Sequence, residues 1–394
     1  MSAALAPALA APSGASAAIT ANQVPGPNIS AGKFTLPLTC KISLPWLGRL
    51  QILELPATVQ VGGAMPASLG PGQRFYLSKA SGRLTLPSWL STLAPLIGAA
   101  QARAYVPQVN IRGAGASPEI VNMAKSPLVA NVKLVPGQPI SVGLPVSGYF
   151  TVGPWTAPNS GSVTLSFQNA IARVDLQTSS GATLMTVAAN CTTAKALGLA
   201  TIDVGGAAGQ PDGLVEDVDI DSFAAPPTGF DNGVISAAYQ CSFFGQSSTT
   251  AVAFSAISPL SLAAGQKLNF VRSNGAFVVS PEAVGWLMDR GLTSISGRVK
   301  SLNLNADGAT PSSIDVVAGK TVTFGPTPLT RGQRAVILVP GSGDLTVGPF
   351  TRNGTSQIKV QGGTGVFEID TPSGPTTVDC TPPTNPRVFI GPTL

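Results

Sequence analysis

No histidine occurs anywhere in this chain of 394 residues. That absence excludes Ser-His-Asp and Cys-His catalysis, imidazole metal ligands and histidine pH switching. Charge is also scarce, at 10% of residues. No GxSxG elbow, Walker loop or HExxH pattern occurs. The four cysteines show no CxxC spacing, which argues against a thiolate zinc site. No run approaches the roughly 20 apolar residues that span a bilayer as a helix. A Ser–Lys or two-carboxylate mechanism is the enzyme chemistry left open.

What the chain does have is an internal repeat. Thr151-Val152-Gly153-Pro154-Trp155-Thr156 returns as Thr346-Val347-Gly348-Pro349-Phe350-Thr351. Ser68 to Arg74 returns as Ser261 to Lys267, and Gly115-Ala116-Ser117-Pro118 as Gly308-Ala309-Thr310-Pro311. Order and spacing both survive, so the chain divides into a first copy over 33–205, a Gly/Pro-rich acidic linker over 206–231 and a second copy over 232–394. The Ala-rich segment 1–32 reads as a signal-peptide remnant or a disordered tail.

Each copy carries one cysteine near its start and one near its end. Three pairings are possible; a duplicated domain that keeps its own staple gives Cys40–Cys191 and Cys241–Cys380. Bridges closing loops this long stabilise by on the order of 4–5 kcal/mol in the chain-entropy account and belong to an oxidising compartment. The competing reading is four buried free thiols.

The 44 glycines and 35 prolines accompany 44% hydrophobic residues, which favours short strands and turns over disorder. Lys33–Leu44 alternates apolar and polar residues as a half-buried strand does. Strands are expected at 51–61, 102–111, 140–145, 162–167 and 172–176, then at 234–244, 250–257, 294–304, 321–324, 357–360 and 365–370, with 321–324 the counterpart of 140–145, 357–360 of 162–167 and 365–370 of 172–176. Ser280 can cap a helix that Pro281 and Glu282 open and Gly291 ends. Pro87–Leu93 stands in its place in the first copy, with Pro95 shortening it. Such a helix reads as a plug at one end of a sandwich; a lipid-binding surface is the competing reading. The fold class is therefore all-β, two tandem immunoglobulin-like sandwiches, each with its own sheets, one short helix and one disulfide acting as an inter-sheet pin.

The layout of Thr39-Cys40 or Gln240-Cys241, a Pro-bearing helical stretch, a Thr-Val-Gly-Pro segment and a closing Cys191-Thr192 or Cys380-Thr381 resembles a tandem domain of unknown function found in secreted actinobacterial envelope proteins. The resemblance covers about 33–205 and 232–394. It implies an extracytoplasmic envelope protein and assigns no reaction.

Glu54, Glu119 and Asp175 are the first copy's candidate carboxylates up to residue 180, and Asp175 aligns with Glu368. One recurring acid is no catalytic pair. The linker concentrates five carboxylates in ten residues: Asp212, Glu216, Asp217, Asp219 and Asp221. In an extended segment Asp217, Asp219 and Asp221 share one face, which suits Ca²⁺, although the spacing is not that of an EF-hand. The bland alternative is a solvated linker. Residues 1–170 hold ten basic residues to two acidic, a net +8. That balance suits an anionic envelope polymer, lipid headgroups or another surface protein as partner, with dispersed solubilising charge as the bland alternative; nothing resembles a nucleic-acid-reading motif.

These features point to a non-enzymatic secreted or cell-surface protein, acting as structural spacer or binding module in the bacterial envelope, with no cofactor beyond the Ca²⁺ candidate. A secreted hydrolase using carboxylates is one alternative. A carrier of an apolar ligand is another, and it requires an open cavity beside Trp89 or Trp286.

Overall fold

A computed structural model describes residues 19–45, 50–124, 128–194, 197–205, 213–354, 358–383 and 388–390. The first copy contributes β1 (Ile29–Leu44), β2 (Leu50–Pro66), β3 (Ser68–Leu69), β4 (Arg74–Leu86), α1 (Ser88–Leu93), β5 (Gln101–Ala114), β6 (Ile120–Asn122), β7 (Leu128–Lys133), β8 (Ile140–Leu144), β9 (Phe150–Thr156), β10 (Gly161–Gln177), β11 (Thr183–Thr192) and β12 (Gly198–Val204). The second contributes β13 (Phe230–Phe243), β14 (Gln246–Pro259), β15 (Lys267–Val279), α2 (Pro281–Asp289), β16 (Ser294–Asp307), β17 (Ala309–Thr310), β18 (Ser313–Asp315), β19 (Val322–Pro328), β20 (Ala335–Val339), β21 (Leu345–Arg352), β22 (Lys359–Ile369), β23 (Thr376–Thr381) and β24 (Val388–Ile390).

The protein is all-β apart from its short helices, as the turn-punctuated sequence requires. The strand order in the first copy is β8-β4-β2-β1-β11-β10-β5-β7. The second repeats it as β20-β15-β14-β13-β23-β22-β16-β19. In each sandwich the sheet curls until its outer strands lie side by side, β7 by β8 and β19 by β20. The Thr-Val-Gly-Pro segments form β9 and β21, which pair with β4 and β15.

This register corrects three sequence equivalences. β8 matches β20 at 335–339, because each pairs with the strand before its copy's helix; the expected partner at 321–324 opens β19, which matches β7. The strands expected at 162–167 and 172–176 are one long strand, β10, and its counterpart in the second copy, β22, likewise runs unbroken from Lys359 to Ile369. Ala170 faces Cys191 and Gly365 faces Cys380, so Glu368 stands where the first copy has Arg173, and the acid matching Asp175 is Asp370.

Both disulfides form as the repeat implies. Their place differs from the expectation of an inter-sheet pin. Cys40 lies directly opposite Cys191 on neighbouring strands, with Cα atoms 3.9 Å apart, and Cys241 lies opposite Cys380 at 4.1 Å. Each bond therefore clasps the first and late strands of its copy within one sheet.

The larger correction concerns the join. The sequence suggests separate sheets with a linker between them, whereas one sheet runs through both copies. The first half of β1 pairs antiparallel with β13, from Ser30 opposite Ile235 to Thr35 opposite Phe230. Gly32 and Gly233 face each other there, and a Cβ on Gly32 would sit 2.5 Å from the Gly233 Cα, so only glycine lets the backbones meet. Over this seam lies a separate apolar core made from β1 and β13–β15, the amino-terminal Ile19 and Val24, and Val215, Val218, Ile220 and Phe223 of the acidic segment. That segment is a packed strap. Lys33 Nζ donates to Phe223 O at 2.6 Å, Lys79 Nζ to Val218 O at 2.8 Å and Thr35 Oγ1 to Pro226 O at 2.8 Å.

Two predictions follow from the seam. Gly32→Val forces the paired backbones apart and should cost about 1–3 kcal/mol of unfolding free energy, read by urea denaturation. The second concerns Asp231, which accepts a hydrogen bond from Ser258. The residue keeps an edge to solvent, but its carboxyl is enclosed, and burial pushes it up to about 6 against the opposing pull of Ser258. Between about pH 4, where an unfolded aspartate titrates, and pH 6, the folded chain holds a proton that the unfolded chain has lost. This group's contribution to stability is complete below that window and is lost as pH rises through it. Asp231→Asn should flatten the stability-versus-pH curve between pH 4 and 6; an unchanged slope would show that the carboxyl titrates normally.

Candidate functional site

The interiors of the two sandwiches differ more than their topologies do. The first encloses an apolar cavity of about 350 Å³, lined from β1, β2, β4, β5, β7, β8, β10 and β11. Its wall is aliphatic, with Leu84, Val106, Val142, Ala172 and Val187 among the lining residues, and Arg83 is the only charged residue among those described. The corresponding space in the second copy is about 30 Å³.

Register explains the difference. Leu84 opposes Val59 as Phe277 opposes Val252. Ala172 opposes Ala189 as Phe367 opposes Val378. Ala130 opposes Ala104 as Phe324 opposes Gly297. Thus leucine and two alanines in the first copy stand where the second has three phenylalanines. These rings pack together, Phe277 on Phe367 with centroids 4.1 Å apart and Phe324 on Phe367 at 6.5 Å. Gly297 makes room for them, since a Cβ there would lie 2.9 Å from Phe324 Cζ.

The helices differ in the same sense. In α2, the Ser280 hydroxyl accepts from Ala283 N, Pro281 opens the first turn, and Ala283, Val284 and Leu287 are wholly buried. Gly291 at φ +84 ends it, so α2 is the expected plug. α1 has no side-chain cap and is only six residues long, and Ser91 is its one buried residue. A 3₁₀ turn, Ala94–Ile97, continues it to Gly98. Leu90, Leu93, Ala94 and Ile97 line the cavity, yet Leu93 and Ile97 are 48% and 51% exposed. Here the cover over the cavity is one side chain thick. The Ser91 hydroxyl, 2.7 Å from Gln138 O, ties α1 to the loop between β7 and β8.

The carboxylates flagged in the sequence lie elsewhere. Glu119 pairs with Arg112 at the surface, and Asp175 is buried, held by Arg173 and by the Thr186 hydroxyl at 2.6 Å. None of Glu54, Glu119 and Asp175 lines the cavity. In the strap, Tyr149 donates to Asp221 at 2.6 Å; burial first, and that hydrogen bond second, push the tyrosine up to about 12. Burial lowers the Lys33 amine, with Asp221 and Asp219 opposing the shift. Asp219 accepts from the Asp221 backbone, and Asp217 and Asp219 border an open interdomain recess with Lys79, Tyr149 and Arg334. Among the described residues no three acidic or sulfur ligands converge on a point that could hold a cation. Asp212 lies outside the described residues.

The sequence marks α1 and names a cavity beside Trp89 as a condition; it does not mark the wall. The available signal is the set of replacements Leu84/Phe277 and Ala172/Phe367, visible only once the strands are in register.

If the first interior is empty space and the second a filled one, the two should answer oppositely to substitution. Ala172→Phe should change unfolding free energy by less than about 1.5 kcal/mol, whereas Phe367→Ala should cost about 3–5 kcal/mol. Guanidinium unfolding of both variants checks this.

No family model and no curated protein sequence matches the chain. A solved structure described as "Putative membrane anchored protein" from Corynebacterium diphtheriae is similar over 92% of this chain and 98% of that one, with 12% identity and a TM-score of 0.26. An overlap that loose carries no argument about fold or role.

Proposed function

We propose that this is a non-enzymatic extracytoplasmic binding protein of the cell surface whose first sandwich carries an apolar ligand. The observation that supports the reading is the contrast in filling: one topology, built twice, is packed with phenylalanine in one copy and left open in the other. An empty cavity is costly, roughly 20 cal/mol for each Å² of its wall, so a large one in an otherwise dense fold favours an occupant. A cavity of about 150 Å³ takes up benzene, and on that scale 350 Å³ holds on the order of a dozen carbon atoms, a single acyl chain or similar hydrocarbon. Among the described residues the wall offers no carboxylate pair for hydrolysis, which favours carriage over chemistry. Two disulfides, using all four cysteines, support a location in an oxidising compartment. The filled second sandwich, clamped by the seam and strap, serves in this reading as a rigid spacer.

The test uses isothermal titration calorimetry with dodecanoic acid. The native protein should bind one equivalent with a negative heat-capacity change. Leu84→Phe with Ala172→Phe, which imports the ring pair of the second copy, should weaken binding at least tenfold while the protein stays folded. Equal binding by both proteins, or none by either, would remove the carrier reading.

A further inference from the structure

Every exposed large hydrophobic side chain among the described residues belongs to the first copy. Several gather at its distal end, away from the seam. Trp89, Leu93, Leu96 and Ile97 lie on α1 and its 3₁₀ extension, with Leu96 79% exposed. Val135 follows Leu134, which packs beneath the same turn with Ala94 and Ala99. Leu184 lies over Gly98, its Cδ1 3.8 Å from where a Cβ there would be.

Three segments build this end, 87–100, 134–139 and 178–182, and none of them contains an acidic or basic residue. Behind them stand exposed Arg103, Lys133 and Arg173. The carboxylate among them, Asp175, is buried and committed to Arg173 and Thr186. The matching end of the second copy is built differently. Glu282 and Asp289 lie on α2, Asp289 pairs with Arg331 of the β19–β20 loop at 2.5 Å, and Ala283, Val284 and Leu287 face inward.

We propose that the distal end of the first sandwich docks on an anionic lipid bilayer, with α1 lying in the interface. An uncharged apolar face backed by a cationic collar is the pattern of a surface that lies on a membrane: apolar side chains enter the acyl boundary while arginine and lysine reach lipid phosphates. No helix among the described residues is long and apolar enough to cross a bilayer, the six-residue α1 included. The inner sides of Leu93 and Ile97 line the cavity, so docking would set its thin cover against the acyl chains. A chain then passes between bilayer and cavity without crossing water. This last step rests on the carrier reading; docking does not.

Co-sedimentation with vesicles tests it. The native chain should bind vesicles of phosphatidylglycerol and phosphatidylcholine at least tenfold more tightly than phosphatidylcholine alone, and the preference should shrink in 0.5 M salt. Leu96→Asp with Val135→Asp, two exposed positions outside the cavity wall, should weaken vesicle binding at least tenfold and leave binding of dodecanoic acid unchanged. Leu84→Phe with Ala172→Phe should do the reverse, so failure of the carrier reading and failure of docking separate. Failure to bind either vesicle, equal binding to both, or binding indifferent to the two aspartates would overturn the proposal. So would self-association of the chain that the aspartates abolish in the absence of vesicle binding, which would assign the face to a second copy.

Discussion

An eight-stranded sheet that curls until its outer strands meet fixes the space inside it, and the side chains must fill that space or leave it open. The rest of the molecule depends on this constraint. Strand order and the in-sheet disulfides are the same in both copies, so neither sets the interior volume. Three positions do. Leu84, Ala130 and Ala172 are short where Phe277, Phe324 and Phe367 are long, and the helix above responds. Over the filled interior α2 finds a dense surface and buries one whole face. Above the open interior α1 has less to pack on, and its apolar side chains divide between cavity and solvent.

Charge follows the same asymmetry. The basic residues of the first copy are not a uniform solubilising coat. Lys33 and Lys79 turn inward to hold carbonyls of the acidic strap, so part of the net +8 anchors the strap at the seam. Arg103, Lys133 and Arg173 stand at the opposite end, where Asp175, the carboxylate beside them among the described residues, is engaged by Arg173. The first copy thus has one pole that binds the rest of the chain and another where cations outnumber carboxylates.

Much of the fold is legible in the sequence, because period-two alternation and Gly/Pro turns specify strands locally. The α2 capping residues read directly, and the repeat alone gives the cysteine pairing. What escapes is non-local. The strap looks like a linker because its carboxylates dominate the composition, although Val215, Val218, Ile220 and Phe223 are interleaved with them and mark a buried side. The shared sheet escapes because nothing in β1 announces that one strand serves two copies; the facing Gly32 and Gly233 are intelligible only once they are paired. The cavity escapes because alanine reads as apolar wherever it stands, and only its cross-strand neighbours reveal whether a ring is missing. The pairing of Asp175 with Glu368 fails for a similar reason, since spacing drifts by two residues between copies and the disulfides supply the true register.

The double duty of β1 bears on how the chain can be divided. A fragment that stops at residue 205 would keep every strand of the first sandwich, yet residues 30–35 would keep β2 on one side, lose β13 on the other, and present there a bare row of amides and carbonyls. Such an edge recruits whatever strand is at hand, most readily the same edge of another molecule. The natural unit of this protein for expression, crystallisation or inheritance is therefore the pair, and its two halves are legible as separate words only on paper.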